Sequence, residues 1–266
     1  GMGAALRAEL RERLSTKLWW LLLLVMVAYL IFIGSFMALA LTVEIPGAES
    51  PMAPGGIDQA KMIYSLTSPI GYVFPLIIGS LLFTGEFRHK TITASLLVEP
   101  SRTVLMLAKL AVAAVVGLVY GVVGTISTVA GSAPLLHWRG TGTFLQSREV
   151  LVLLGMSVLV MVLWAVLGTA IGSVLTNQVA AIIVILAFTQ FVEPIARFAF
   201  AAWDATASVA KFFPGAAADA IVGTSFFSQG GAADLLGRPA GAAVLIGYVL
   251  IFALIGRFVT LRRDIG

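Results

Sequence analysis

The 266-residue chain is 59% hydrophobic and 11% charged, with a mean hydropathy of +1.02, two histidines and no cysteine. Soluble domains run at roughly 45 to 50% apolar and about 25% charged residues, so a water-soluble domain is excluded, and with it disulfides and thiolate metal sites. The net charge of +4 sits at the edges of apolar runs rather than in one patch, which favours orientation in a bilayer over nucleic-acid binding.

A single all-α integral membrane domain over 1-266 is expected, with six spans at 18-41, 62-84, 103-130, 149-175, 179-200 and 239-259. Residues 3-17 precede the first span as an N-terminal interfacial helix. Leu6, Leu10 and Leu14 form an i, i+4 ridge flanked by Arg7, Arg11, Arg13 and Lys17. Span one is uncharged from Leu18 to Leu41 and, at a 1.5 Å rise per residue, long enough for a hydrocarbon core of roughly 30 Å. Ala38-Leu39-Ala40 looks like a cleavage site, but the apolar run is too long for a signal peptide, and it is read as a retained anchor. Thr42 to Lys61 reads as a loop.

Span two carries Ser65, Thr67, Ser68, Pro69, Gly71 and Pro75. Such residues are tolerated in a membrane helix where neighbours or water satisfy the freed backbone groups, so this span is expected to be kinked and to line a pathway. Span three holds Lys109, expected to snorkel to the surface, and a Gly117-xxx-Gly121 pair. Span four holds Gly168-xxx-Gly172, and both pairs permit close helix approach. Ser132 to Arg148 reads as a polar loop. Thr176 or Asn177 is the N-cap of span five, where Glu193-Pro194 is expected to interrupt the helix, with Arg197 pairing Glu193 near the outer surface. The connection 194-238 is rich in phenylalanine, and re-entrant half-helices fit it better than a solvated loop.

The segment 85-102 concentrates Glu86, Arg88, His89, Lys90, Glu99 and Arg102 between two apolar spans. It predicts a short, weakly amphipathic helix closed by Pro100. The run Gly85-Glu86-Phe87-Arg88-His89-Lys90-Thr91-Ile92-Thr93, followed by Pro100 and Arg102, resembles the cytoplasmic coupling segment of ABC-2 type transporter permeases, the membrane subunits of bacterial ABC exporters. Thr176 to Ile182 and Phe213 to Ala217 are weaker likenesses to the same family. The resemblance implies export of a drug-like, lipid-like or otherwise amphiphilic substrate, powered by two copies of a separate ATPase subunit. ATP and magnesium then belong to that partner, with no cofactor in this chain. It also implies a second permease copy, identical or closely paralogous, and an ATPase contact at Glu86, Phe87, Arg88, His89, Lys90 and Thr91. Spans two and five are the expected substrate path, with Tyr64, Ser68, Phe74 and Gln190 as candidates.

Other chemistries suit these residues less well. None of the lysines follows a glycine, so the phosphate-cradling GxxxxGK motif does not occur in this chain, which is read as a transport subunit and not an enzyme. Gly155-x-Ser157 raises an intramembrane serine protease, which His89 and His137, in opposite connections, serve badly as a base. A secondary, ion-coupled multidrug transporter needs ionisable groups in the membrane, where each costs about 2.5 to 3.5 kcal/mol; Glu193 is the one candidate. With the amino terminus inside, Arg7, Arg11, Arg13, Lys17, Arg88, Lys90, Arg102, Lys109, Arg257, Arg262 and Arg263 all fall on the inner side. The positive-inside rule therefore predicts a multi-pass bacterial inner-membrane protein, surrounded by lipid, with both termini and the 85-102 segment in the cytoplasm. The alanine-, glycine- and arginine-rich composition suits a high-GC bacterium.

Overall fold

The computed structural model describes residues 2-15, 17-43, 56-88, 101-175, 177-225 and 234-260. Among them there is no strand, and six helical stretches are long and apolar enough to cross a membrane: Leu18–Thr42, Ile57–Leu82, Arg102–Trp138, Arg148–Val174, Gln178–Ala201 and Arg238–Val259. We number the helices α1 (Met2–Ser15), α2 (Leu18–Thr42), α3 (Ile57–Tyr64), α4 (Thr67–Gly71), α5 (Val73–Arg88), α6 (Arg102–Trp138), α7 (Arg148–Val174), α8 (Gln178–Ala187), α9 (Glu193–Ala201), α10 (Asp204–Ala210), α11 (Pro214–Val222) and α12 (Arg238–Ile255). Large apolar side chains such as Phe32, Leu24, Ile126 and Ile183 lie exposed on the outside, the surface of a protein solvated by lipid tails rather than water.

Helix α7 is the hub, packed along both α5 and α6 and also against α12. The expected glycine pairs make these contacts. A Cβ on Gly168 would strike the Leu76 carbonyl, one on Gly172 the Ser80 carbonyl, and one on Gly79 the Ala165 carbonyl. On the other flank, a Cβ on Gly117 would meet the Val162 Cα at 2.7 Å, and one on Gly121 the Val158 carbonyl oxygen at 2.8 Å. With backbones this close, Thr169 Oγ1 reaches across to donate to the Gly79 carbonyl at 2.9 Å. Interhelical bonds of this kind contribute about 0.6 kcal/mol each in a membrane. The same device joins α2 to α6, where Ser35 Oγ donates to the Gly131 carbonyl at 2.8 Å and Gly131 faces the Ile31 backbone.

Span two begins earlier than 62 and its turn tightens at Ser65-Leu66, where the Leu66 amide bonds the Ile63 carbonyl; Tyr72 keeps helical geometry, its amide bonded to the Ser68 carbonyl and its carbonyl accepting from the Leu76 amide. The start at Ile57 shortens the expected loop. Asp58 in the first turn suits the positive end of a helix, and Gln59 Nε2 donates to the Leu41 carbonyl at 2.9 Å, tying α3 to the C-terminus of α2. At the same end of the bundle Arg139 Nη2 donates to the Thr42 carbonyl at 3.0 Å, and Lys61 and Glu149 approach to 3.6 Å.

Three further expectations are corrected. Span three does not stop at Ala130 but continues to Trp138, taking in part of the expected polar loop. Ser132 Oγ returns its hydrogen bond to the Thr128 carbonyl at 2.6 Å, and Ala133 and Leu136 are buried, so polarity there is absorbed within the helix. Lys109 does not snorkel: it is 0% exposed. It lies one turn before Val112 and Ala113, which are covered by Leu6 of α1, so the amino-terminal helix docks on α6 instead of resting on lipid alone. Span five passes through Glu193-Pro194 without a break, because a π-helical segment (Phe188–Val192) absorbs the proline, which sits in the first turn of α9. Asn177 is the N-cap, its side chain accepting from the Ala180 amide at 3.0 Å.

Between spans five and six, α10 and α11 are short helices, and α11 is buried along its length against α12 and α7. The segment 85-102 is described only in part. Gly85, Glu86, Phe87 and Arg88 continue α5 as its last turn of backbone. His89, Lys90, Thr91 and the remainder to Pro100 lie outside the described residues.

The glycine seam gives a direct prediction. Gly79→Ala should lower the thermal midpoint of the detergent-solubilised protein by an amount equivalent to more than about 1 to 3 kcal/mol, because the added methyl meets backbone rather than a movable side chain. Gly155→Ala, where a Cβ meets open space, should leave it unchanged or slightly raised.

Candidate functional site

Tyr72 of span two points into the interior. Its ring lies against Trp164 of α7, with centroids 4.6 Å apart, and its hydroxyl donates to the Thr189 carbonyl in the π segment at 3.0 Å. Trp164 Nε1 in turn donates to Ser68 Oγ at 3.3 Å. Both aromatic polar atoms are thereby satisfied in a buried setting, as burial of tyrosine and tryptophan requires.

Two cavities meet at this pair. One, of about 360 Å³, is lined by Ile33, Phe36 and Met37 of α2 together with Ser68, Pro69 and Gln190. The other, of about 450 Å³, is lined by Leu167, Ile171 and Leu175, with Phe188, Tyr248 and Phe252. Tyr72, Trp164, Thr189 and Glu193 belong to both. The first lies toward the C-terminal half of α2 and the second toward the C-terminal end of α7, which are opposite ends of the bundle. Volumes of this size match ordinary small-molecule sites, and the walls are mostly carbon with a few convergent polar groups.

The charged part of the wall comes from α9 and α11. Glu193 is 3% exposed, and its Oε1 accepts from the Gly215 amide at 2.5 Å, in the first turn of α11. A Cβ at position 215 would lie 2.7 Å from that oxygen, so the glycine makes room for the carboxylate. The positive N-terminal end of α11 favours the negative group. Oε2 is buried without a hydrogen bond. Arg197, one turn further along α9, does not form the predicted ion pair with Glu193. Its Nη2 binds Asp219 Oδ2 of α11 at 2.9 Å, with both side chains almost fully buried. Burial pushes the Asp219 carboxyl up, while the Arg197 guanidinium and the Ser225 hydroxyl pull the other way. The cause of the correction is α11: it folds back under span five and presents a carboxylate that the local i, i+4 spacing of Glu193 and Arg197 gives no hint of.

The four candidates for a substrate path divide evenly. Ser68 and Gln190 line the first cavity. Tyr64 is fully buried elsewhere, its hydroxyl donating to the Thr143 carbonyl at 2.6 Å, and Phe74 packs toward Tyr29 with ring centroids 6.4 Å apart. Tyr72, Trp164, Glu193, Arg197 and Asp219 were not among those candidates. Asp219 carried a signal, as a lone carboxylate in the apolar run from Phe212 to Val222. Trp164 carried none, since a tryptophan in a membrane span is unexceptional. Glu86, Phe87 and Arg88 stand at the far end of α5 from the cavities, as backbone, and His89, Lys90 and Thr91 lie outside the described residues.

The fold and the site define a multi-pass helical membrane protein with two mostly apolar cavities. A scan against protein-family models finds no match, and a search of curated proteins finds none either.

Two substitutions test the buried wall. Arg197→Met removes one partner of a buried ion pair and should destabilise by about 3 to 5 kcal/mol, because the Asp219 charge is left uncompensated. Gly215→Ala should cost less, about 1 to 3 kcal/mol, by displacing the Glu193 side chain. Thermal unfolding in detergent, followed by loss of the monodisperse elution peak, should rank Arg197→Met below Gly215→Ala and both below the parent.

Proposed function

We propose that this chain is the membrane subunit of an ATP-driven exporter of the ABC-2 type, acting as a pair of permeases with two separate ATPase subunits. The observation that carries the reading is the course of α5. Tyr72, the residue before it, and Leu76, in its first turn, line the second cavity, and the same helix ends in Gly85-Glu86-Phe87-Arg88, the opening of the coupling-type motif. Sixteen residues at 1.5 Å each make a rod of about 24 Å. A push on the motif moves the cavity wall, because a helix transmits displacement along its axis while its glycine seam on α7 guides it. In this reading both termini and the motif face the cytoplasm of a bacterial inner membrane. The short helices α10 and α11 dip into the outer leaflet. Lipids and drug-like amphiphiles are the substrate class, and the ATP and magnesium are held by the partner.

A second reading is favoured by Glu193. A buried carboxylate shared by two cavities on opposite sides of the bundle is what an ion-coupled transporter uses. The two readings separate on the motor. In the first, the double substitution Glu86→Ala with Arg88→Ala leaves insertion and elution behaviour intact but abolishes co-purification of an ATPase subunit and substrate-stimulated ATP hydrolysis, since a charge pair lost at a buried subunit contact can cost about 2 to 5 kcal/mol. Arg148→Ala, an exposed charge at the other end of the bundle, changes neither. Retention of full ATPase binding by the double variant, or proton-driven transport by the chain reconstituted alone, would count for the ion-coupled reading. Reporter fusions at residues 50 and 95 should show opposite sides, with 95 inside.

A further inference from the structure

The described ionisable side chains in the wall of the first cavity are Glu193, Arg197 and Asp219. Arg197 is bound to Asp219, so with all three ionised the wall holds one negative charge more than it balances. That charge belongs to Glu193, the only one of the three that also lines the second cavity. One of its oxygens is met by the Gly215 amide, and the other is buried and accepts no hydrogen bond. A buried anion in that condition is costly unless a cation comes to it or it takes up a proton.

The surroundings decide which cation. An inorganic ion needs several oxygen ligands arranged around it, and the site offers a single unengaged carboxylate oxygen among carbon walls. An ion whose charge is carried on an apolar body fits both features at once. Its body occupies the space beside Ile33, Phe36 and Met37 in the first cavity, or beside Leu167 and Ile171 in the second, while its charge faces Glu193, which lines both. Tyr72 and Trp164 stand at the junction of the cavities and present aromatic faces, which attract a desolvated cation by up to about 2 kcal/mol.

We propose that the paired cavities bind a lipophilic organic monocation, with Glu193 as its counter-charge and the Tyr72–Trp164 pair as its aromatic wall. The assignment rests on reading the cavities as the transport route, and it narrows the substrate from amphiphiles in general to amphiphilic cations.

The test uses two probes of matched size and opposite charge, tetraphenylphosphonium and tetraphenylborate, with the full chain in lipid nanodiscs and protein-free nanodiscs as the baseline. Tetraphenylphosphonium should bind saturably above the baseline and tetraphenylborate should not. Glu193→Gln keeps an oxygen for the Gly215 amide and should weaken tetraphenylphosphonium at least tenfold. Tyr72→Leu should weaken it several-fold. Saturable binding of the anion equal to that of the cation, no saturable cation binding, or full affinity in Glu193→Gln would each overturn the proposal. The comparison of the two probes on the parent chain needs no variant, so misfolding of Glu193→Gln does not blunt it. Binding needs no ATPase, so the outcome is separate from that of the motor experiment: saturable cation binding together with failure of the motor experiment would keep this inference and remove the exporter reading.

Discussion

In a bilayer, lipid tails solvate an apolar side chain as well as a neighbouring helix does, so helices are held together by shape and by hydrogen bonds rather than by escape from water. Along α7 the shape is set by glycine. Gly168, Gly172 and the facing Gly79 bring α5 into backbone contact, while Gly117 and Gly121 do the same for α6. Three helices are thereby locked at one spacing, and the lock positions the interior side chains. Trp164 projects from α7 toward the middle of span two, and it reaches Ser68 and Tyr72 because span two is held at a fixed distance from α7.

Span two and the π segment complement one another. Tyr72 turns its ring inward, and the π segment of span five offers the Thr189 carbonyl that accepts its hydroxyl hydrogen bond. Departures from α-helical geometry inside a membrane are tolerated only where protein or a cavity covers them. Here the π segment lies against the two cavities, with Thr189 in the wall of both. Continuing span five beyond the π turn as α9 carries Glu193 and Arg197 inward instead of ending the helix at the surface, and α11 closes the arrangement with Gly215 and Asp219.

The sequence made the membrane class, the six spans and the close-packing glycines legible, because each rests on local composition or on i, i+4 spacing. The N-cap at Asn177 and the kinking of span two were legible for the same reason. The features that escaped are long-range. Lys109 reads as a snorkelling side chain until α1 is known to dock over the neighbouring turn of α6. Glu193 and Arg197 read as a pair at i, i+4, and only the return of α11 supplies the better partner for the arginine. Ser68 and Gln190 could be nominated from their positions in two promising spans, whereas Tyr64 and Phe74, nominated on the same grounds, are turned toward loop backbone and toward α2. Which residues line a cavity depends on which way each turn faces, and a span carrying two prolines and a tightened turn changes its facing along its length.

In the proposed function, α5 joins the cavities to a cytoplasmic site where a separate ATPase binds. The chain has no native cysteine, so a single Arg88→Cys substitution can carry a photoactivatable cross-linker, with Arg139→Cys at the opposite end of the bundle as its counterpart. After illumination in intact cells, mass spectrometry of the adduct at residue 88 should identify a polypeptide bearing a GxxxxGK(S/T) phosphate loop, and the adduct at residue 139 should not. Labelling of residue 88 by a membrane-impermeant thiol reagent added outside the cell, or adducts there consisting only of lipid and this same chain, would contradict the account.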